Sequence, residues 1–457
     1  MENVAAKSFT AEQLRNLITG PDELALIDLR EGGVFSQSHL LFAANCPLSR
    51  LELLIEKIVP RKSVLLVVCT NDLDTKRSEK GLRRLAALGY TNLGQLEGGI
   101  EAWQNAGYEL FSGVHVPSKA FGEFVEANAG TPHISAADLA TKTANGEDII
   151  VLDSRPFNEY HNMNIPNGID VPGAELAYRI HDLAPNPETT VVVNCAGRTR
   201  SIIGAQSLIN AGVPNPVVAL ENGTMGWHLA GFELERGQRR NFNEVSPDAL
   251  VVAEMRAAMV RDRFEVPVTD HAQVSTWLKD PTRTTYLLDV RDPAEFQQAH
   301  LPGSKSSPGG QLVQATDLYV GVRRARLVLI DDTGVRASMS ASWLIQMGWH
   351  DVHVLYGISA LFTESGSQQQ QISNLNQQPV EYISAEKLRD ALEGSEKVHV
   401  ADLATSLQYR DQGHIPGAWF TVRSHMPENL SFANDSELVV LTSPDGQLAE
   451  LAFEDAT

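Results

Sequence analysis

The chain is poor in cysteine and in basic residues, and it lacks any long apolar run. Its three cysteines, Cys46, Cys69 and Cys195, are spread over 457 residues. Their spacing suits neither a disulfide framework nor a zinc site, which points to a reduced, cytoplasmic setting with no metal. No stretch approaches the roughly 18 consecutive apolar residues that span a bilayer. The opening MENVAAKSFTAEQLRNLITG has no basic segment leading into an apolar core, so it does not read as a signal peptide. Lys and Arg number 37 against 57 Asp and Glu, a formal charge of -20. That balance excludes nucleic acid and anionic membranes as default partners. An anionic small molecule must therefore be drawn in by a local positive site, against the field of the whole chain.

What the sequence has is internal repetition. Its length implies about three or four domains, and short apolar β-branched runs ending in Asp-x-Arg recur along it. They are ALIDLR with Asp28 and Arg30, IIVLDSR with Asp153 and Arg155, and YLLDVR with Asp289 and Arg291. A fourth, VHVADLA, keeps Asp402 and loses the arginine. Apolar runs without polar alternation read as strands buried on both faces, as in a parallel sheet. A second strand type follows in each unit: SVLLVVC, TTVVVNC, RLVLID and ELVVLTS. In the first three units a helical pattern then runs to Gly89, Gly212 and Gly348, where glycine suits a left-handed helix cap. Arg77, Arg200 and Arg336 open these helices at a constant distance from the capping glycine, which fixes the alignment. Closing turns repeat as LEGGIEAWQNAG and LENGTMGWHLAG, with Glu221 and Trp227 in the second read as structural.

Strands alternating with helices at this pitch define an α/β layered domain with a mostly parallel sheet. The expected boundaries are 1–113, 131–237, 264–365 and 381–457. The joints at about 112–132 and 237–265 carry helical patterns, whereas SGSQQQQISNLNQQP reads as a flexible tether. The fourth domain supplies a helix, a first strand, GHIPGA and ELVVLTS and then stops, as a piece of a longer protein would.

The Asp-x-Arg strand, the turns AHLPGS and GHIPGA, the Cys-x4-Arg loop and the EGG-x3-W closure recur in register. Together they make the chain resemble tandem rhodanese-like sulfurtransferases over nearly its whole length. The resemblance implies tandem domains, each a five-stranded mostly parallel sheet flanked by helices, the fourth incomplete. It also implies an active loop between a central strand and the following helix, and makes Asp153 and Arg155 a strand-end pair that braces that loop from behind.

The candidate active loop is Cys195-Ala196-Gly197-Arg198-Thr199-Arg200. Cys195 ends a buried strand and faces a helix start, where unpaired N–H groups favour a thiolate. Gly197 lets the backbone curl so that its amides converge on the sulfur. Arg198 is the candidate grip for an anionic donor, and Arg200 shapes the loop. The implied reaction has two steps: Cys195 takes sulfur from a small anionic donor such as thiosulfate, then passes it from a persulfide to a thiol or cyanide acceptor, a protein thiol included. No cofactor is required, and no feature of the sequence specifies an oligomeric state.

The other units read as inactive. Cys69 stands at the corresponding strand end of the first, three residues further from its arginine than Cys195, in a loop made acidic by Asp72 and Asp74. Either that loop is degenerate or it serves a bulkier ligand. Cys46 reads as structural. The third unit has Asp331 at the cysteine position, and the fourth has Ser443 there with Leu448 at the arginine position. Two other readings stand beside the sulfurtransferase. One is a non-catalytic scaffold or sulfur sensor. The other is cysteine phosphatase or arsenate reductase chemistry, which uses a loop one residue longer.

Overall fold

The computed structural model describes residues 6–71, 75–366, 380–395, 397–426, 430 and 438–456. Asp72, Asp74 and the glutamine-rich run 367–379 lie outside the described residues. Each apolar run forms a strand of a parallel sheet. In unit two the strands His133–Ile134, Val217–Leu220, Thr190–Asn194, Ile149–Asp153 and Ile169–Asp170 lie in that order, all parallel. Unit one repeats the order with Lys7–Phe9, Leu93–Leu96, Leu65–Cys69, Leu24–Asp28 and Ala44–Asn45. Unit three pairs four strands, Lys305–Ser306, Thr285–Asp289, Arg326–Ile330 and Val352–Leu355, and reduces the fifth to a bridge between Val268 and Val354. Unit four has Trp419–Phe420, Val398–Asp402 and Leu438–Thr442 in the same relative order. It does not stop at its last strand: helix Gln447–Ala456 follows.

The helix after each central strand ends as its glycine requires. Gly89, Gly212 and Gly348 have φ of 90°, 67° and 89°, a region that costs an L side chain energy. Both predicted joints are helices, Val116–Ala129 and Pro247–Arg263. The first packs on helix Thr199–Asn210, and the second lies between helices Glu175–Leu183 and Val335–Gln346.

The units are not beads on a string. Val322–Arg323 of unit three pairs antiparallel with Leu24–Ala25 of unit one, and both units contribute to one apolar core. Tyr286 Oη donates to Ile58 O across the same boundary. Units two and three meet where Trp343 Nε1 donates to Ser207 Oγ at 2.7 Å. Unit four docks on unit one through buried charges. Arg423 pairs with Glu52 at 3.0 Å and with Asp455 at 2.6 Å, and Arg84 joins both carboxylates.

Candidate active site

The parallel ladders set which residue occupies the reactive position. The Asp that ends each repeated first strand, Asp28, Asp153, Asp289 and Asp402, faces one residue on the central strand: Cys69, Asn194, Ile330 and Thr442 in units one to four. The next residue enters the loop, and it is Thr70, Cys195, Asp331 and Ser443. Hydrogen bonds give the same register, since Ile100 N donates to Thr70 O and Thr224 N to Cys195 O. The expected equivalence of Cys69 and Cys195 is therefore corrected by one position. Cys69 is the last residue of its strand, and a one-residue slip sends a side chain to the opposite face of the sheet. Its side chain lies in a core with Leu26, Val67 and Trp103. Burial pushes its thiol well up, with Asp28 adding to the effect and Arg30 opposing it. Cys46 is also buried, and burial raises its thiol. The loop of unit one thus runs from Thr70 to Arg77, two residues longer than that from Cys195 to Arg200.

Cys195 Sγ lies 3.4 Å from the Gly197 amide, which donates to it, and 3.4 Å from Ser201 Oγ. The residue is only 2% exposed. Behind it, Asp153 and Arg155 form a buried bidentate pair, with Nε and Nη2 donating at 2.8 and 2.7 Å. Asn194 Nδ2 donates to Asp153 Oδ2 at 2.9 Å, and the Ser154 amide and hydroxyl both donate to Asn194 O at 2.8 Å. The strand end that presents Cys195 is therefore held from the side away from the loop. From the front, Thr224 N and Met225 N donate to Cys195 O and Ala196 O. Gly223, at φ 55°, makes this approach possible, because a Cβ there would meet Cys195 O at 2.1 Å.

The two loop arginines are engaged differently. Arg198 is paired with the linker helix, its Nε and Nη2 donating to Glu123 at 2.9 and 3.0 Å and Nη2 also to Glu126. Both carboxylates occupy the guanidinium donors that an anion would need. Arg200 donates to both Glu159 oxygens at 2.8 Å. Burial opposes its charge, but the Glu159 hydrogen bond and the nearby Glu159, Cys195 and Asp153 charges leave its pKa raised. Thr199 packs against Gly122 of the linker helix, where a Cβ would come within 3.0 Å of its methyl group. Ser201, Glu123, Glu126 and Glu159 are not singled out by the sequence, and Gly223 stands out there only as a glycine of the closing turn. The recurrence of a serine after the helix-opening arginine, Ser78 and Ser201, was a usable signal for the first.

Unit three fills its own cradle. Asp331 accepts from the amides of Arg336 and Ala337 at 2.7 and 3.3 Å, in the place where unit two has sulfur. Arg336, fully buried, gathers Glu175 of unit two, Glu295, Asp331 and Asp332. Burial pushes the Asp331 carboxyl up. In unit four, Ser443 Oγ accepts from Ala449 N at 3.2 Å, and Leu448 is buried. Among the described residues no cluster of His, Cys, Asp and Glu could hold a metal ion, and no helix is long and apolar enough to cross a membrane.

Tandem parallel α/β units, one of which carries a cysteine in the loop between its central strand and the following helix, define the class of this protein. The Rhodanese-like domain family matches residues 10–106, 135–230 and 270–360, and the chain belongs to that family. It is similar to the crystal structure of a thiosulfate sulfurtransferase from Pseudomonas aeruginosa, with 48% identity and a TM-score of 0.94, over 98% of this chain and 84% of that one. An HTH-type transcriptional regulator of Mycobacterium tuberculosis is 31% identical over 110 residues, 24% of this chain and 47% of the relative. The match thus spans about half the length of that relative. A putative sulfur carrier protein of Bacillus subtilis, YrkF, is 25% identical over 136 residues, 28% of this chain and 72% of that protein.

Proposed function

We propose that the chain is a rhodanese-type sulfurtransferase with one reactive site, Cys195, in a domain spanning about 131–237. The companion domains span about 1–113, 264–365 and 381–457. The observation that carries this reading is the register: of four equivalent loop positions only one holds a thiol, and its sulfur accepts from the Gly197 amide. Similarity to the P. aeruginosa enzyme supports a sulfane donor such as thiosulfate. The Cys195 thiolate attacks the outer sulfur, the donor S–S bond breaks, and sulfite leaves with the electron pair. An acceptor thiolate or cyanide then attacks the outer sulfur of the persulfide, releasing Cys195 as thiolate. Gly197 N and the loop amides hold the persulfide, Arg200 contributes positive charge beside it, and Arg198 meets the donor once freed from Glu123 and Glu126. Asp153 and Arg155 brace the strand end through Asn194. Units one, three and four take no part in the sulfur transfer itself, since each fills its loop position with a group that cannot carry sulfur.

Intact-mass analysis after incubation with thiosulfate tests this. One added sulfur atom is expected on the native chain and none on Cys195→Ser. An unmodified Cys195 with thiosulfate, mercaptopyruvate and small persulfides alike would sink the reading. Turnover of p-nitrophenyl phosphate in its place would favour phosphatase chemistry.

A further inference from the structure

A cavity of about 530 Å³ opens between units one and three, and neither Cys195 nor Ser201 lines it. Its size falls in the range of small-molecule sites. Phe42, Pro117 and Trp349 give it apolar walls, and Arg323, Arg324 and Gln314 contribute the polar groups that matter here. Two other polar contacts on its lining are internally satisfied: Arg283 pairs with Asp351 at 2.6 Å, and His115 Nδ1 lies 2.8 Å from Asp317 Oδ1. Arg323 is different. Its guanidinium lies 3.5 Å over the Phe42 ring, and its buried Nε has no hydrogen-bond partner. Among the described residues no carboxylate pairs with Arg323 or with Arg324, whose Nε donates only to a backbone carbonyl, Gly20 O. Burial and the Arg324 charge push the Arg323 guanidinium down to about 10. Gln314 Oε1 is likewise buried without a partner, and an amide can turn either end toward a ligand. A sheltered guanidinium with no counter-charge is costly, and in a chain of net charge -20 its lack of a carboxylate stands out.

We propose that this cavity is a binding site for a small organic anion with an apolar body. Its carboxylate or sulfonate pairs with Arg323 and Arg324, its body lies against Phe42, Pro117 and Trp349, and the Gln314 amide closes the polar end. The site is separate from the sulfur chemistry, so its test is binding and not turnover.

Calorimetric titration of the full chain with naphthalene-2-sulfonate and with neutral 2-naphthol tests the assignment. One sulfonate per chain is expected, bound at least roughly tenfold tighter than the naphthol, as a charge-assisted hydrogen bond implies. Arg323→Gln should weaken the sulfonate by roughly 10- to 100-fold and leave the naphthol unchanged. Gln314→Glu, which places negative charge at the polar end without touching the strand that carries Arg323, should weaken the sulfonate as well. It decides the matter if Arg323→Gln fails to fold by circular dichroism. The proposal is overturned if neither probe binds, if the two bind equally, or if sulfonate affinity survives the folded variants.

Discussion

Replacing Asp170 by Asn should stabilise the protein, and increasingly so as the pH rises. Asp170 ends the strand beside Asp153 and is 1% exposed, and its Oδ1 has no hydrogen-bond partner. Burial, then the charges of Asp153 and of Asp292 from unit three, raises its pKa from 3.8 to about 8, with Arg155 opposing. A carboxyl raised in the folded state keeps its proton while the unfolded chain loses it. The stability this group contributes is therefore fully present below pH 3.8 and is lost progressively as pH rises towards 8. About four pH units at 1.36 kcal/mol each set a ceiling near 6 kcal/mol. An effective dielectric well above that of dry protein reduces this to roughly 2–4 kcal/mol at pH 7. Asn keeps the shape of the neutral acid and carries no such dependence. Because a chain of several units need not unfold in one step, amide exchange should be followed in Ile149–Asp153 and Thr190–Asn194. Near pH 4 the two proteins should match, and at pH 8 the variant should be the better protected. A difference that is independent of pH, or that grows toward acid, would refute the reasoning.

Three further outcomes follow from the site. Gly223→Ala should displace the loop at Cys195 O and reduce sulfur transfer by about a hundredfold, with circular dichroism unchanged, since the added Cβ falls 2.1 Å from that oxygen. Cys69→Ser should leave sulfur loading and kcat within about twofold in a steady-state thiosulfate assay, because the side chain lies in the core of unit one and not in a loop; a large loss would contradict the register. The double variant Glu123→Gln/Glu126→Gln should lower KM for thiosulfate by roughly two- to fivefold, the worth of partly exposed ion pairs. An unchanged KM would remove Arg198 from donor binding.

The four-fold repetition was legible because every unit writes the same buried strand and the same Asp. The capping glycines marked where three helices end, and the joint helices were visible from their periodicity. The place of Cys69 was not legible. A strand end has no residue of its own in the sequence, and a cysteine serves equally as the last core residue or the first loop residue; only the pairing of Asp28 with Cys69 decides. The contacts of Arg198 and Arg200 were equally hidden, because Glu123 and Glu159 lie 75 and 41 residues from the arginines they hold. The loss of the cysteine in unit three reads as catalytic silence, with the preserved DVRDPAEF and AHLPGS kept for packing or for binding a partner. In the fold, Asp331 and Arg336 turn the vacated loop into part of the boundary with unit two through Glu175.

The pairing of Val322–Arg323 with Leu24–Ala25 has a consequence in time. The two segments lie about 300 residues apart, which at roughly 5–20 residues per second is about 15–60 s of synthesis. Throughout that interval the edge of the nascent first unit lacks its partner at Leu24 and Ala25, beyond the stretch where Ile27 and Asp28 pair with Ala44 and Asn45, and unpaired backbone at a strand edge can recruit a neighbouring chain. Unit two must emerge and fold before the proper partner exists. For this protein, premature association on a crowded ribosome is a hazard of birth order, relieved only when the third unit arrives.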